Sequence, residues 1–171
     1  MQLAPDALRF VLTQGLPAVI DVTGGSMEPT IARGEKVDVA ALADRDPVDA
    51  GEIVLVATAA GVLLLHRVMI TFDEGGARFV IHQGDAPASS FGVAARRDVL
   101  ARMTGFASEL RALPTLERLD AAARARFRRR RLACQGFLAA RRLVHAFRLT
   151  DSALVRACAQ AYRKLARALA G

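Results

Sequence analysis

The chain of 171 residues has no tryptophan and a single tyrosine. It therefore lacks the aromatic platform on which single-stranded nucleic acids stack, and the reading does not favour a nucleic-acid partner. Cysteine is almost as scarce. Cys134 and Cys158 stand alone, without CxxC spacing, so neither a metal site nor a disulfide framework is expected, and a reducing compartment is the default. No stretch reaches the ~18–20 apolar residues of a spanning helix. Asp6 and Arg9 interrupt the opening, where a secretory leader would have an uninterrupted apolar core. The expectation is a cytoplasmic protein, or one peripheral on the cytoplasmic membrane face.

What is present is a hydrophobic fraction of 53% with 24% charged residues, the composition of a globular chain. The net charge of +7 is unevenly spread. Residues 1–113 hold 10 Lys/Arg and 14 Asp/Glu, a balance of −4. Residues 114–171 hold 14 Lys/Arg and 3 Asp/Glu, a balance of +11. Such asymmetry predicts a neutral to acidic body with a basic extension suited to anionic surfaces.

Along the chain, Pro5 and Asp6 begin a short amphipathic helix that Gly15 and Pro17 end. Strand signals follow at 18–22, 36–40, 53–57, 62–72, 78–83 and 98–106, with DEGG at 73–76 as a hairpin turn and 84–92 as a loop. Short strands with frequent turns predict a compact, mainly β, mostly antiparallel domain over 17–113, preceded by a helical segment at 1–16. Beyond Pro114 the strand signal disappears. Helices are expected at 116–131 and 137–147 with Gly136 between them. A third would be capped by Thr150 or Asp151, with Leu154, Val155, Cys158, Tyr162, Leu165 and Leu169 on one face. RARFRRRR at 124–131 reads as a solvated charge run in this basic α-helical region.

The segment Gly24-Gly25-Ser26-Met27-Glu28-Pro29-Thr30 carries the most chemical information. A serine nucleophile needs exposure, a rigid backbone and nearby N–H groups that stabilise an oxyanion. Two glycines permit a tight approach and Pro29 stiffens the exit, although the same letters also describe an ordinary turn.

Further segments follow in order: Arg33-Gly34-Glu35-Lys36-Val37, Gly51-Glu52-Ile53-Val54, Leu65-His66-Arg67-Val68 and Gly84-Asp85-Ala86. Together with the serine segment they resemble the signal-peptidase I and LexA superfamily of serine peptidases, over roughly residues 18–107. The resemblance implies that fold and an endopeptidase without cofactor or metal, in which Ser26 is the nucleophile. Where bacterial leader peptidases and LexA-type proteins have a Lys-Arg pair, this chain has His66-Arg67. That is similar to the endoplasmic-reticulum, archaeal and Bacillus-type branch, in which histidine is the base. A histidine titrates near neutrality without the desolvation a lysine base needs, so activity is expected to fall through roughly pH 6–7. Asp85, nineteen residues after His66, takes the place of the carboxylate that orients the imidazole. Met27 is expected near the substrate cleft. His82 reads as a strand surface residue and His145 as structural.

Two departures stand out. Signal peptidases often have Ser or Thr two residues before the nucleophile, donating to the oxyanion. Here that residue is Gly24, which leaves the hole to the backbone N–H groups of Ser26 and Gly25, or to Thr23. The acidic cluster that often follows the Gly-Asp segment is replaced by Pro87-Ala88-Ser89-Ser90-Phe91. The implied use is cleavage of a leader or precursor peptide beside small residues. The alternatives are a LexA-like self-processing or regulatory module, and a catalytically silent module that binds a membrane or a partner through its basic helices.

Overall fold

Leu8 and Leu12 lie one helical turn apart, and their side chains are buried on the inner face of helix α1 (Pro5–Thr13). Burying each contributes about 1.5–3 kcal/mol. In the computed structural model, which describes residues 5–107 and 111–146, with side chains in the last helix described as far as 142, this helix opens a seven-stranded antiparallel sheet. The strands are β1 (Ala18–Asp21), β2 (Lys36–Ala41), β3 (Ile53–Ala57), β4 (Leu63–Glu74), β5 (Ala77–Gln83), β6 (Phe91–Ala95) and β7 (Val99–Phe106). Their order is β1-β2-β7-β3-β4-β5-β6.

Alternation on β3 divides the core. Ile53 and Leu55 join Leu8, Leu12, Val37, Val39, Met103 and Phe106 in the larger cluster. Val54 and Val56 join Val48, Val68, Val80 and Val99 in the second. With apolar residues on both sides, β3 reads as a continuous β-branched run rather than an alternating one. On β4 and β5 the same period of two puts His66 and His82 on the face of Val68 and Val80, while Arg67 points the other way with Leu65.

The chain divides into two compact units, residues 1–118 and 119–171. The first includes α1 and continues past β7 through a 3-10 turn at Leu116–Arg118. The second contains α2 (Ala121–Ala146), whose start is capped by Asp120 Oδ1 accepting from the Ala123 N–H at 2.7 Å. Phe127, Arg130 and Cys134 share its buried face, and Arg124, Arg128, Arg129 and Arg131 are exposed. No described helix is long and apolar enough to cross a membrane.

The fold is thus mainly β with a C-terminal helix, and two sequence expectations are corrected. Gly136 does not separate two helices: α2 runs through it, because Gly costs only about 1 kcal/mol against Ala and helix formers flank it. The 84–92 stretch is not all loop, since Phe91 begins β6, which pairs with β5 from Gln83↔Phe91 to Phe79↔Ala95. The expected helix from 150 onward lies outside the described residues. His145 falls within α2, and its side chain is likewise outside them.

Candidate active site

Ser26 sits in a tight turn between β1 and β2. The Glu28 N–H donates to the Gly25 carbonyl at 3.2 Å and the Ile31 N–H to the Met27 carbonyl at 3.0 Å, and the Glu28–Pro29 peptide is cis. Beneath the turn, Met27 and Ile31 are buried in the larger core cluster. Met27, expected at the cleft, is instead 1% exposed: its apolar side chain anchors the turn from below. Ser26 itself is half-buried. Neither its hydroxyl nor the N–H groups of Ser26 and Gly25 donate to another of the described residues. The Glu28 carboxylate folds toward Gly25, about 3.4–3.5 Å from where a Cβ on that glycine would stand.

The turn is joined to the segment that follows β5. The Ala86 N–H donates to the Ser26 carbonyl at 2.9 Å. Gly84 lies so close that a Cβ there would overlap the Ser26 carbonyl and the Ser89 hydroxyl. Only glycine fits, which explains the residue type in a way its turn propensity does not. The Ser89 Oγ accepts from the Gly84 N–H at 3.0 Å and fixes the next bend.

Asp85, the middle residue of this segment, is held by Arg67. The guanidinium Nε donates to Oδ1 at 2.9 Å and Nη2 to Oδ2 at 2.7 Å, a bidentate pair. Arg67 is 0% exposed, and its Nη1 donates to the carbonyls of Gly51 at 2.8 Å and Pro114 at 3.0 Å. A fully buried guanidinium is tolerated only when its donors are satisfied in this way. From the sequence, Asp85 is expected to orient His66 and to stabilise its protonated form. Its carboxylate lies instead on Arg67, and its negative charge acts on the imidazole through space, favouring the protonated form.

His66 hydrogen-bonds across the sheet. Its Nδ1 lies 2.9 Å from Nδ1 of His82, with ring centroids 5.1 Å apart and planes tilted by 47°. His66 is 6% and His82 4% exposed, which corrects the surface reading of His82. The cause is β6: Gly92 is the register partner of His82, and the imidazole lies across that glycine. Burial disfavours the cation on both rings. The His66 pKa is lowered to about 4, desolvation outweighing the Asp85 charge. The His82 pKa is also lowered to about 4, by desolvation and then by His66.

The described residues contain no cluster of three or more His, Cys, Asp or Glu able to hold a metal ion. Cys134, on α2, is buried, which pushes its thiol up to about 11 against the opposing charge of Arg130. It has the character of an inert core residue.

The serine turn therefore meets the 84–86 segment, which Arg67 holds. His66, on the other side of β4, meets His82, and no hydrogen bond among the described residues joins Ser26 to His66. His82 and Gly92 complete the surroundings of His66. The pattern of residue types did not reveal either, because their meaning depends on the pairing of β5 with β6. No protein-family model, curated protein or solved structure matches this chain.

Proposed function

We propose that this chain is a serine endopeptidase of signal-peptidase type, with the fold of that superfamily, which cleaves a leader or precursor peptide. The observation that carries the reading is the hydrogen bond from the Ala86 N–H to the Ser26 carbonyl. It joins the turn bearing the nucleophile to the segment that Arg67, the neighbour of His66, holds through Asp85.

In this reading Ser26 Oγ attacks the scissile carbonyl carbon while His66 Nε2 takes the hydroxyl proton. The tetrahedral oxyanion accepts hydrogen bonds from the N–H groups of Ser26 and Gly25, which have no acceptor among the described residues. Glu28, folded toward Gly25, must swing outward as negative charge develops there. Collapse of the intermediate passes the proton from His66 to the leaving amine. Water then releases the acyl group by the same route. Asp85 stabilises the transient imidazolium through space and fixes the loop through Arg67. The substrate extends along a strand edge, as in β-augmentation. Peripheral contact with an anionic membrane face through the exposed arginines of α2 belongs to the same proposal.

The test is active-site labelling of the full chain with a fluorophosphonate, read by intact mass and peptide mapping. One adduct at Ser26 is expected, absent in Ser26→Ala and strongly slowed in His66→Ala. An unmodified wild-type chain that also cleaves no peptide with small residues at the scissile bond would leave the silent binding module as the better reading. Cleavage confined to the chain itself, at a rate independent of concentration, would point to the self-processing module.

A further inference from the structure

We infer that His82 is the positioning residue of His66, occupying the place that a carboxylate takes in a Ser-His-Asp arrangement. This inference deepens the peptidase reading and rests on it.

Two Nδ1 atoms at 2.9 Å can have only one hydrogen between them when both rings are neutral. The two possible arrangements are not equivalent. If His82 donates, the single proton of His66 lies on Nε2, and that nitrogen cannot accept from Ser26. If His66 donates, its Nε2 holds a lone pair and is a base, while His82 carries its own hydrogen on Nε2. Only the second arrangement is productive. His82 is thus required as an acceptor at Nδ1, and the bond fixes both the tautomer and the tilt of the catalytic ring. When His66 takes the serine proton at Nε2, its Nδ1–H still points at the His82 lone pair, so the cation is met by an acceptor already in place. That proton leaves with the amine, and both rings return to neutral.

A second observation, independent of that bond, shows that the ring is built into its position. A Cβ on Gly92 would stand 2.7 Å from Cε1 and 2.8 Å from Nε2 of His82. Glycine leaves β6 without a side chain at this point, in the space that the imidazole occupies. Among the described residues, the carboxylate whose charge acts on His66 is Asp85, beyond β5, and it is paired with Arg67 of β4. Asp85 is therefore already engaged, and His82 is the residue that meets His66 at Nδ1.

Four variants and one spectroscopic measurement on the full chain test this. Asn places its Oδ1 close to where His has Nδ1. His82→Asn should keep activity within about tenfold, whereas His82→Leu, with no acceptor, should lower kcat by about 10²- to 10⁴-fold with little change in KM. Gly92→Ala, which pushes the ring aside, should fall between them. His82→Asp should restore kcat and move the acidic limb of the pH profile upward, because a carboxylate stabilises the His66 cation. Nitrogen-15 NMR of the histidine side chains in the wild type should find His66 protonated at Nδ1 and His82 at Nε2, with a scalar coupling between the facing nitrogens. The opposite tautomers, or a His82→Leu enzyme as active as wild type, would overturn the inference while Ser26 labelling stood. A wild-type chain with neither labelling nor cleavage would overturn the peptidase reading and the role of His82 with it, even if the NMR pairing were observed.

Discussion

At the scale of single residues, the Arg67–Asp85 pair and the two histidines make opposite demands on the interior. Arg67 is a charge with every donor group satisfied, and removing its partner leaves that charge buried. Asp85→Ala should therefore cost about 3–5 kcal/mol in chemical denaturation. Replacing both members by apolar residues, as in R67M/D85L, should cost less than Asp85→Ala alone. Additive losses would show that the pair is not coupled. The histidines are neutral in the fold because burial lowers each pKa to about 4, against 6.5 in the unfolded chain. Between those values the unfolded chain binds more protons, so stability is greatest above pH 6.5 and is lost as pH falls toward 4. His82→Asn should reduce the steepness of that loss in pH-dependent urea melts. The same burial revises the expected activity profile. In the proposed peptidase, a base that is neutral down to about pH 4 should sustain hydrolysis through pH 6–7, with the acidic limb near pH 4 in initial-rate measurements.

At the scale of elements, the strands most readable in the sequence are those made of β-branched residues. β3 and β5 match their expected ranges to within a residue, and β4 begins one residue later and runs two further. The strand that was missed, β6, is Phe-Gly-Val-Ala-Ala, too short and too small in its side chains to show a periodic pattern. Missing β6 also hid the character of His82, since a histidine on β5 looks solvent-facing until another strand covers it. The serine turn, His66 and Asp85 were legible from their motif order, but the partner of Asp85 was not. Which donor a carboxylate meets is decided by strand register and not by spacing along the chain. The contact between Gly84 and the Ser26 carbonyl gives a test at this scale. Gly84→Ala must displace the serine turn, because besides the Ser89 hydroxyl its methyl would meet the backbone carbonyl of Ser26. It should slow fluorophosphonate labelling by at least about tenfold while the sheet, read by far-UV circular dichroism, is retained. Unchanged labelling would mean that the turn is not set by this segment.

For the whole molecule, every acceptor that Arg67 uses and every residue of the candidate site lies within the first unit. A chain ended after Arg118 should accordingly keep Ser26 labelling close to that of the full chain. A chain ended before Leu113 loses the Pro114 carbonyl and the Leu116 side chain that covers Gly51, and should melt at lower temperature and label more slowly. Equal loss in both truncations would show that residues 119–171 are needed by the site. The charge is divided in the same way, with the candidate chemistry in the acidic portion and the exposed arginines of α2 in the basic one.

The reach of Arg67 to Pro114 also bears on the timing of synthesis. A nascent chain contains the serine turn, both histidines and Asp85 well before residue 114 has been added. Until then the guanidinium lacks one of its carbonyls, and the loop it fixes has not acquired its final support. Fluorophosphonate labelling of Ser26 on a ribosome-bound chain should therefore appear only after this last stretch has emerged.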